Sequence, residues 1–272
     1  MEGLERQEPM LTQIDHVVVL VHRLEEAIAS YQAQGFQVVV GGEHPGGTHN
    51  ALVGFADGAY LELLAFREPE RPHVHRWYRF LASGPGLIDV CLASDDLTGE
   101  VERLKGRGLS YQGPSEGRRR RPDGQVVEWR GATPSDERTG ALPFLIEDVT
   151  PRQLRVPSGA EAQHANGAVG LAAVMVAVRD LRRAEGEYRA LLDGREPERR
   201  DAPELQALTS TLMLGPHRIV LSQPATADSP VAHRIRLRGE GPWRVDLLAE
   251  GVLEPRRLEI DGAHLVLVPV GT

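Results

Sequence analysis

Cysteine is nearly missing: the single Cys91 sits inside the apolar run LIDVCLAS, which excludes an intrachain disulfide and a multi-thiolate metal cluster and predicts a buried structural thiol. Long hydrophobic runs are missing too. None approaches the roughly 20 residues needed to span a membrane, and the start of the chain, residues 1–11, is charged and lacks the apolar stretch of a secretory signal, so a cytoplasmic protein is expected. An excess of positive charge is also lacking. With 31 Lys and Arg against 39 Asp and Glu, the formal net charge is -8, which repels nucleic acid in bulk. The one concentrated basic stretch, Arg118, Arg119, Arg120 and Arg121, is too short to form a nucleic-acid surface. What is present is ordinary globular composition, 41% hydrophobic and 26% charged over 272 residues, enough for one large domain or two smaller ones.

The chain reads as repeated modules. Residues 14–21 (IDHVVVLV) are a β-branched run suited to a buried strand, and residues 24–34 carry Leu24, Ala27, Ile28 and Tyr31 at helical spacing before Gly35. Three strands are predicted next, at 36–40, 51–55 and 60–66, with a Gly-rich loop at 41–47 and a turn at Asp57-Gly58. The same order restarts at Leu87, with LIDVCLAS as strand, residues 97–107 as helix, and strands at 125–130 and 142–149. Aligning the two helices sets His16 opposite Asp89. A third unit runs from residue 169 through a helix at 181–192 to strands at 210–214 and 217–223. A fourth, eroded unit has predicted strands at 234–237, 243–248 and 264–268, and the Pro-, Ser- and Gly-bearing stretch 151–167 is the expected linker. The fold expected is α+β, built of tandem βαβββ modules forming cupped, barrel-like mixed sheets. Residues 12–157 form the first domain (modules at about 12–82 and 83–157), and 168–272 a degenerate, mainly structural second pair.

Glu62, Asp89 and Glu147 lie in YLELLAF, GLIDVCL and PFLIEDV, runs otherwise suited to burial. An unpaired ionised carboxylate there would cost several kcal/mol or be driven neutral. One compensation is a divalent cation held by His16, Glu62, Asp89 and Glu147, each module giving one residue from its first strand and one from its last. Three carboxylates and an imidazole suit Mn, Fe(II), Co, Ni or Mg at least as well as Zn. The alternatives are a hydrogen-bonded core histidine, and carboxylates paired with the many arginines.

With these residues go several motifs: IDHVVVLV at 14–21, GTHNAL at 47–52, DGAYLELLAF at 57–66, RPDG at 121–124, Trp129, and LPFLIEDVTPR at 142–152. Together they resemble the glyoxalase-like branch of the vicinal-oxygen-chelate superfamily, which includes glyoxalases, epimerases, extradiol dioxygenases and antibiotic-resistance proteins. The resemblance is specific over residues 12–157. It implies a cupped sheet around a metal, with ligands at the positions of His16, Glu62, Asp89 and Glu147. Asp89 departs from the histidine common there in glyoxalases and extradiol dioxygenases, so neither activity carries over.

The Gly-rich loop places His49 and Asn50 as candidate pocket residues, with His44 expected to be exposed. Arg119 and Arg121 share one strand face and, with Trp129, are candidates for holding an anionic substrate; a solvated basic hairpin is the other reading. The function expected is a metal-dependent lyase, isomerase or dioxygenase. It would act on a small oxygenated substrate, anionic if the arginine face serves it, through metal-chelated oxygens and an enolate-like intermediate, with Glu147 as the proton carrier. The alternative is a metal-free binding or resistance-type protein using the same cup. Expected partners are the small molecule alone, without nucleic acid or membrane, and a homodimer stays open.

Overall fold

The computed structural model describes residues 11–271, so all but the last residue of the charged start lies outside the described residues. The first module is β1 (Leu11–Leu20), α1 (Leu24–Ala33), β2 (Val39–Glu43), β3 (Thr48–Gly54) and β4 (Tyr60–Phe66). The second is β5 (Gly86–Ser94), α2 (Leu97–Gly106), β6 (Tyr111–Arg120), β7 (Val126–Pro134) and β8 (Phe144–Asp148). The strands close into a barrel in the order β1-β4-β3-β2-β6-β7-β8-β5. The chain is thus α+β, with the expected βαβββ modules curled into a cup.

Strand alternation sorts the side chains. On β1 and β4, Val17, Val19, Leu61 and Leu63 join a core shared with the second half, while Val18, Leu20, Leu64 and Phe66 form a separate inner cluster with Trp77, Phe80 and Ile88. His16 and Glu62 follow the inner parity. Register makes the internal symmetry explicit. In the antiparallel β1–β5 pair, His16 faces Cys91 and Val18 faces Asp89, so His16 and Asp89 are equivalent positions. In the parallel pairs, Val18 faces Glu62 and Cys91 faces Phe144, so the counterpart of Glu62 is Phe144. Glu147 lies an odd number of residues beyond it, on the other side of the strand.

The second half is a seven-stranded sheet in the order β10-β11-β12-β9-β13-β15-β14. It comprises β9 (Ala168–Ala177), α3 (Leu181–Leu191), β10 (Glu198–Ala202), β11 (Ala207–Leu214), β12 (His217–Pro224), α4 (Pro230–Arg238), β13 (Gly241–Ala249), β14 (Arg256–Ile260) and β15 (Ala263–Pro269). The expected strand at 234–237 is instead part of α4. Ser229 accepts a hydrogen bond from the Ala232 N–H and Pro230 occupies the first turn, which starts a helix where side-chain alternation reads as a strand. Val174, Val176, Val245 and Leu265 share one continuous core with Ile14, Val17 and Leu92 of the barrel. His217 binds across the junction, accepting the Ile14 N–H at 3.0 Å and reaching Asp57 at 3.3 Å. Among the described residues, no helix is long and apolar enough to cross a membrane.

Candidate active site

The cup encloses a cavity of about 700 Å³ whose wall includes His16, Asn50, Tyr60, Glu62, Arg119 and Trp129. His16 is part of this wall. Its Nδ1 lies 2.6 Å from Asp15 Oδ1 and its Nε2 3.5 Å from Glu62 Oε2. Neighbours on a regular strand point apart, but the β1–β5 register slips between Ile14 and His16, and this irregularity lets Asp15 reach the ring beside it. Tyr60 stacks on the imidazole at 4.5 Å and 19°, and Phe144 meets it edge-on at 5.3 Å.

Asp15 is fully buried and held by two arginines. Arg155 donates Nη1 and Nη2 to its two oxygens at 2.8 Å each, and Arg152 also donates to it. Arg155 continues to the Tyr60 hydroxyl at 2.8 Å and to Asp148. Burial alone would raise the Asp15 pKa, but Arg155 and His16 hold it well below the usual carboxylate range. For His16, burial opposes charge, and Tyr60, Cys91 and the bonded Asp15 outweigh it, so the imidazole titrates well above its ordinary value. Burial raises Glu62 as well, yet His16 and the Asn50 amide bring it down to about 2. The two groups are thus displaced in opposite directions, His16 toward its charged form and Glu62 toward its own.

Asn50 donates Nδ2 to Glu62 Oε1 at 2.6 Å, while its buried Oδ1 has no partner among the described residues. Space for this side chain comes from Gly41, where a Cβ would lie 2.1 Å from Asn50 Oδ1. Arg119, 3% exposed, donates Nη2 to the Arg155 carbonyl at 2.7 Å and leaves its Nε–H unpartnered among the described residues. Trp129 lies over Gly117, where a Cβ would sit 2.2 Å from the indole nitrogen. Two residues of the cup wall thus carry a buried unpartnered polar atom, an acceptor on Asn50 and a donor on Arg119, beside the charged pair.

The other expected site residues are placed elsewhere. Asp89 points inward but is consumed: it accepts from Trp77 Nε1 at 2.8 Å and pairs with Arg76 at 3.2 Å. Burial raises its pKa against the pull of Arg76. Glu147 caps α2 by accepting the Leu97 N–H at 3.0 Å and pairs with Arg130 at 2.5 Å; it is not among the residues lining the cup. His49 lies on the opposite face of β3 from Asn50 and outside the lining. Arg121 donates to the Leu154 carbonyl at 2.7 Å and bonds Asp123, bracing the 151–156 segment. Conversely, His44, expected to be exposed, lines the cup, as does His75; burial brings both to about 4.

The four-residue metal set is therefore not assembled. His16 and Glu62 offer two donors to the cup, Arg76 and Trp77 occupy Asp89, Glu147 points elsewhere, and Phe144 fills the position symmetric to Glu62. A different grouping, Asp15, His16 and Cys91, brings potential ligand atoms within 4.8 Å of one another, with the oxygens of Asp15 already engaged by arginines. Burial pushes the Cys91 thiol up to about 11, so it is not a ready thiolate.

Comparison with known proteins agrees with this architecture. A family model described as a glyoxalase-like domain matches residues 14–192. No curated protein matches. Among solved structures, a hypothetical protein from Staphylococcus aureus superposes with a TM-score of 0.72 at 15% identity, covering 94% of this chain and 99% of the other. A mutant of 4-hydroxymandelate synthase from Streptomyces coelicolor gives 0.57 at 13% identity, covering 89% and 72%. A xylose isomerase-like TIM barrel/4-hydroxyphenylpyruvate dioxygenase fusion protein gives 0.54 at 15% identity, covering 93% of this chain and 39% of the other. At these identities the likenesses establish the fold alone. With the family match over most of its length and this modular barrel, the chain belongs to the glyoxalase-like family of the vicinal-oxygen-chelate superfamily.

Proposed function

We propose that the protein is an enzyme that forms an enolate-like intermediate from a small oxygenated, anionic substrate bound in the cup, with 2-oxo acids as the class to test. The observation carrying this reading is the His16–Glu62 pair, 3.5 Å apart on the cavity wall, with the histidine displaced upward and the carboxylate downward in pKa. Each group stabilises the charged form of the other, so the pair acts as donor and base once a substrate separates them.

The substrate carboxylate pairs with Arg119 Nε–H, a hydroxyl on the substrate, where it has one, donates to Asn50 Oδ1, and the carbonyl oxygen takes the His16 Nε2–H. That last contact displaces Glu62 from the imidazolium. Without its partner, Glu62 is governed by burial, the largest influence on it, and its pKa climbs into the range of a working base. Glu62 then removes a proton from the carbon beside the carbonyl. The C–H electron pair becomes the enolate double bond, and the charge on oxygen is held by His16, which Asp15 keeps oriented and protonated. Glu62 replaces Glu147 as the proton carrier. Of the four residues expected to hold a divalent metal, His16 and Glu62 line the cup, and this reading assigns the proton transfer to protein groups.

The test is exchange of carbon-bound protons in D2O, followed by proton NMR over a panel of 2-oxo acids. Exchange by the wild type, suppressed in Glu62→Gln, supports the reading. Tight binding with no exchange would favour the binding-protein alternative. In this reading residues 168–272 act mainly as a structural partner, sharing the core of the barrel.

A further inference from the structure

The second half holds a cavity of its own, about 910 Å³, between α4, the β13–β15 strands and residues 83–87 at the entry to β5. Two arginines on its wall have no carboxylate partner among the described residues. Arg234 is 8% exposed and donates only to carbonyls, Nε to Pro242 at 3.0 Å and Nη1 to Gly239 at 2.8 Å, with Nη2 at 3.5 Å from Leu87. Arg238 donates Nη2 to the Gly84 and Ser83 carbonyls at 2.5 and 3.1 Å and also to that of Pro85, while its buried Nη1 has no partner. Trp243 is 7% exposed, lines the same cavity, and its indole N–H is likewise unpartnered.

Buried Arg155 is paired with Asp15 and Asp148, and half-buried Arg138 and Arg103 with Glu187, Glu240 and Glu100, whereas Arg234, like Arg119 in the cup, has no carboxylate partner among the described residues. Glu204, Asp228 and Glu259 border the cavity from exposed positions, and none pairs with Arg234 or Arg238. Burial and the neighbouring Arg238 cation bring Arg234 down to about 9, the direction expected where an anion is missing. The rest of the wall is mixed: Leu205, which clusters with Trp243, Leu87, Pro242, Leu258 and Leu265 are apolar, and Arg236, Arg244, Arg257, His233 and His264 add polar and basic groups.

We propose that this cavity is a second ligand site, separate from the cup, for a small organic carboxylate with an apolar body. The carboxylate takes Arg238 Nη1, Arg234 and the Trp243 N–H, and the body lies against the leucine and proline wall. This assigns a binding role to the half read above as structural, and it does not depend on the chemistry of the cup.

The experiment uses the full chain and 8-anilino-1-naphthalenesulfonate, an aromatic anion, with its fluorescence excited directly and octanoate as competitor. Wild type, Arg238→Met, Trp243→Phe and the cup variant Arg119→Met are compared after circular dichroism confirms folding. The expected result is probe binding displaced by octanoate, weakened about tenfold by R238M and about threefold by W243F, and unchanged by R119M. W243F keeps the ring and carries the test if R238M does not fold. The proposal is overturned by absent displacement, by binding lost in R119M but kept in R238M and W243F, or by inorganic phosphate displacing the probe as well as octanoate does.

Discussion

The pKa of His16 is displaced upward, with Asp15 bonded to one ring nitrogen and Glu62 3.5 Å from the other, and consequences follow for single residues. In the folded protein both imidazole nitrogens should be protonated at pH 7, which two-bond proton–nitrogen NMR correlations report directly; a neutral ring would refute the charge assignment. The stability that His16 contributes is whole below its unfolded value near 6.5 and is lost as pH rises through the raised folded value. The contributions of Asp15 and Glu62 have the opposite sense: present above their unfolded values of 3.8 and 4.5, and lost as pH falls through the depressed folded ones. Denaturant midpoints measured across pH should therefore fall away on both sides of a plateau, and Glu62→Gln should move the alkaline edge to lower pH. Because only two of the four expected ligands face the cup, treatment with a chelator should leave proton exchange unchanged. Loss of exchange that a divalent ion restores would overturn the metal-independent chemistry.

Among the elements, β8 shows how the sequence misleads about a site while revealing the fold. The repeat of β1 and α1 in β5 and α2 was legible because strand and helix periods recur in the same order, and Asp89 was correctly aligned with His16. Glu147 was misassigned because a carboxylate in an apolar strand looks inward wherever the register is unknown, and only pairing with β5 shows Phe144 at the symmetric position. Asp15 was invisible for the related reason that alternation places it opposite His16, whereas the slipped register brings the two together. Arg152 and Arg155 lie in a Pro-bearing segment without period, where no pattern announces burial. The cap on α2 gives a discriminating variant: Glu147→Ala should cost about 1 kcal/mol in urea unfolding and leave exchange intact. Abolished exchange with unchanged stability would restore Glu147 as the proton carrier.

At the scale of the whole molecule, the two halves share one hydrophobic core, joined across it by His217 to Ile14 and Asp57 and by Arg138 to Glu187 and Glu240. Calorimetry should accordingly show one cooperative transition; two separated transitions would mean that the halves fold independently. Arg155 links Asp15 of β1, Tyr60 of β4 and Asp148 of β8 from a position 2% exposed. Replacing it with Met leaves buried carboxylates short of a partner and should destabilise the protein by about 3 kcal/mol or more. The modular order of the chain was readable from sequence. The coupling of the halves was not, because it depends on which face of each strand meets the other sheet.

The central claim, that His16 and Glu62 move a proton in the cup, is tested most directly by the rate of deuterium uptake from D2O into 2-oxo acids by wild type and Glu62→Gln. The account predicts uptake by the wild type and a loss of about 10²–10⁴-fold in the variant, with folding retained. Uptake that persists at the wild-type rate in Glu62→Gln would contradict it.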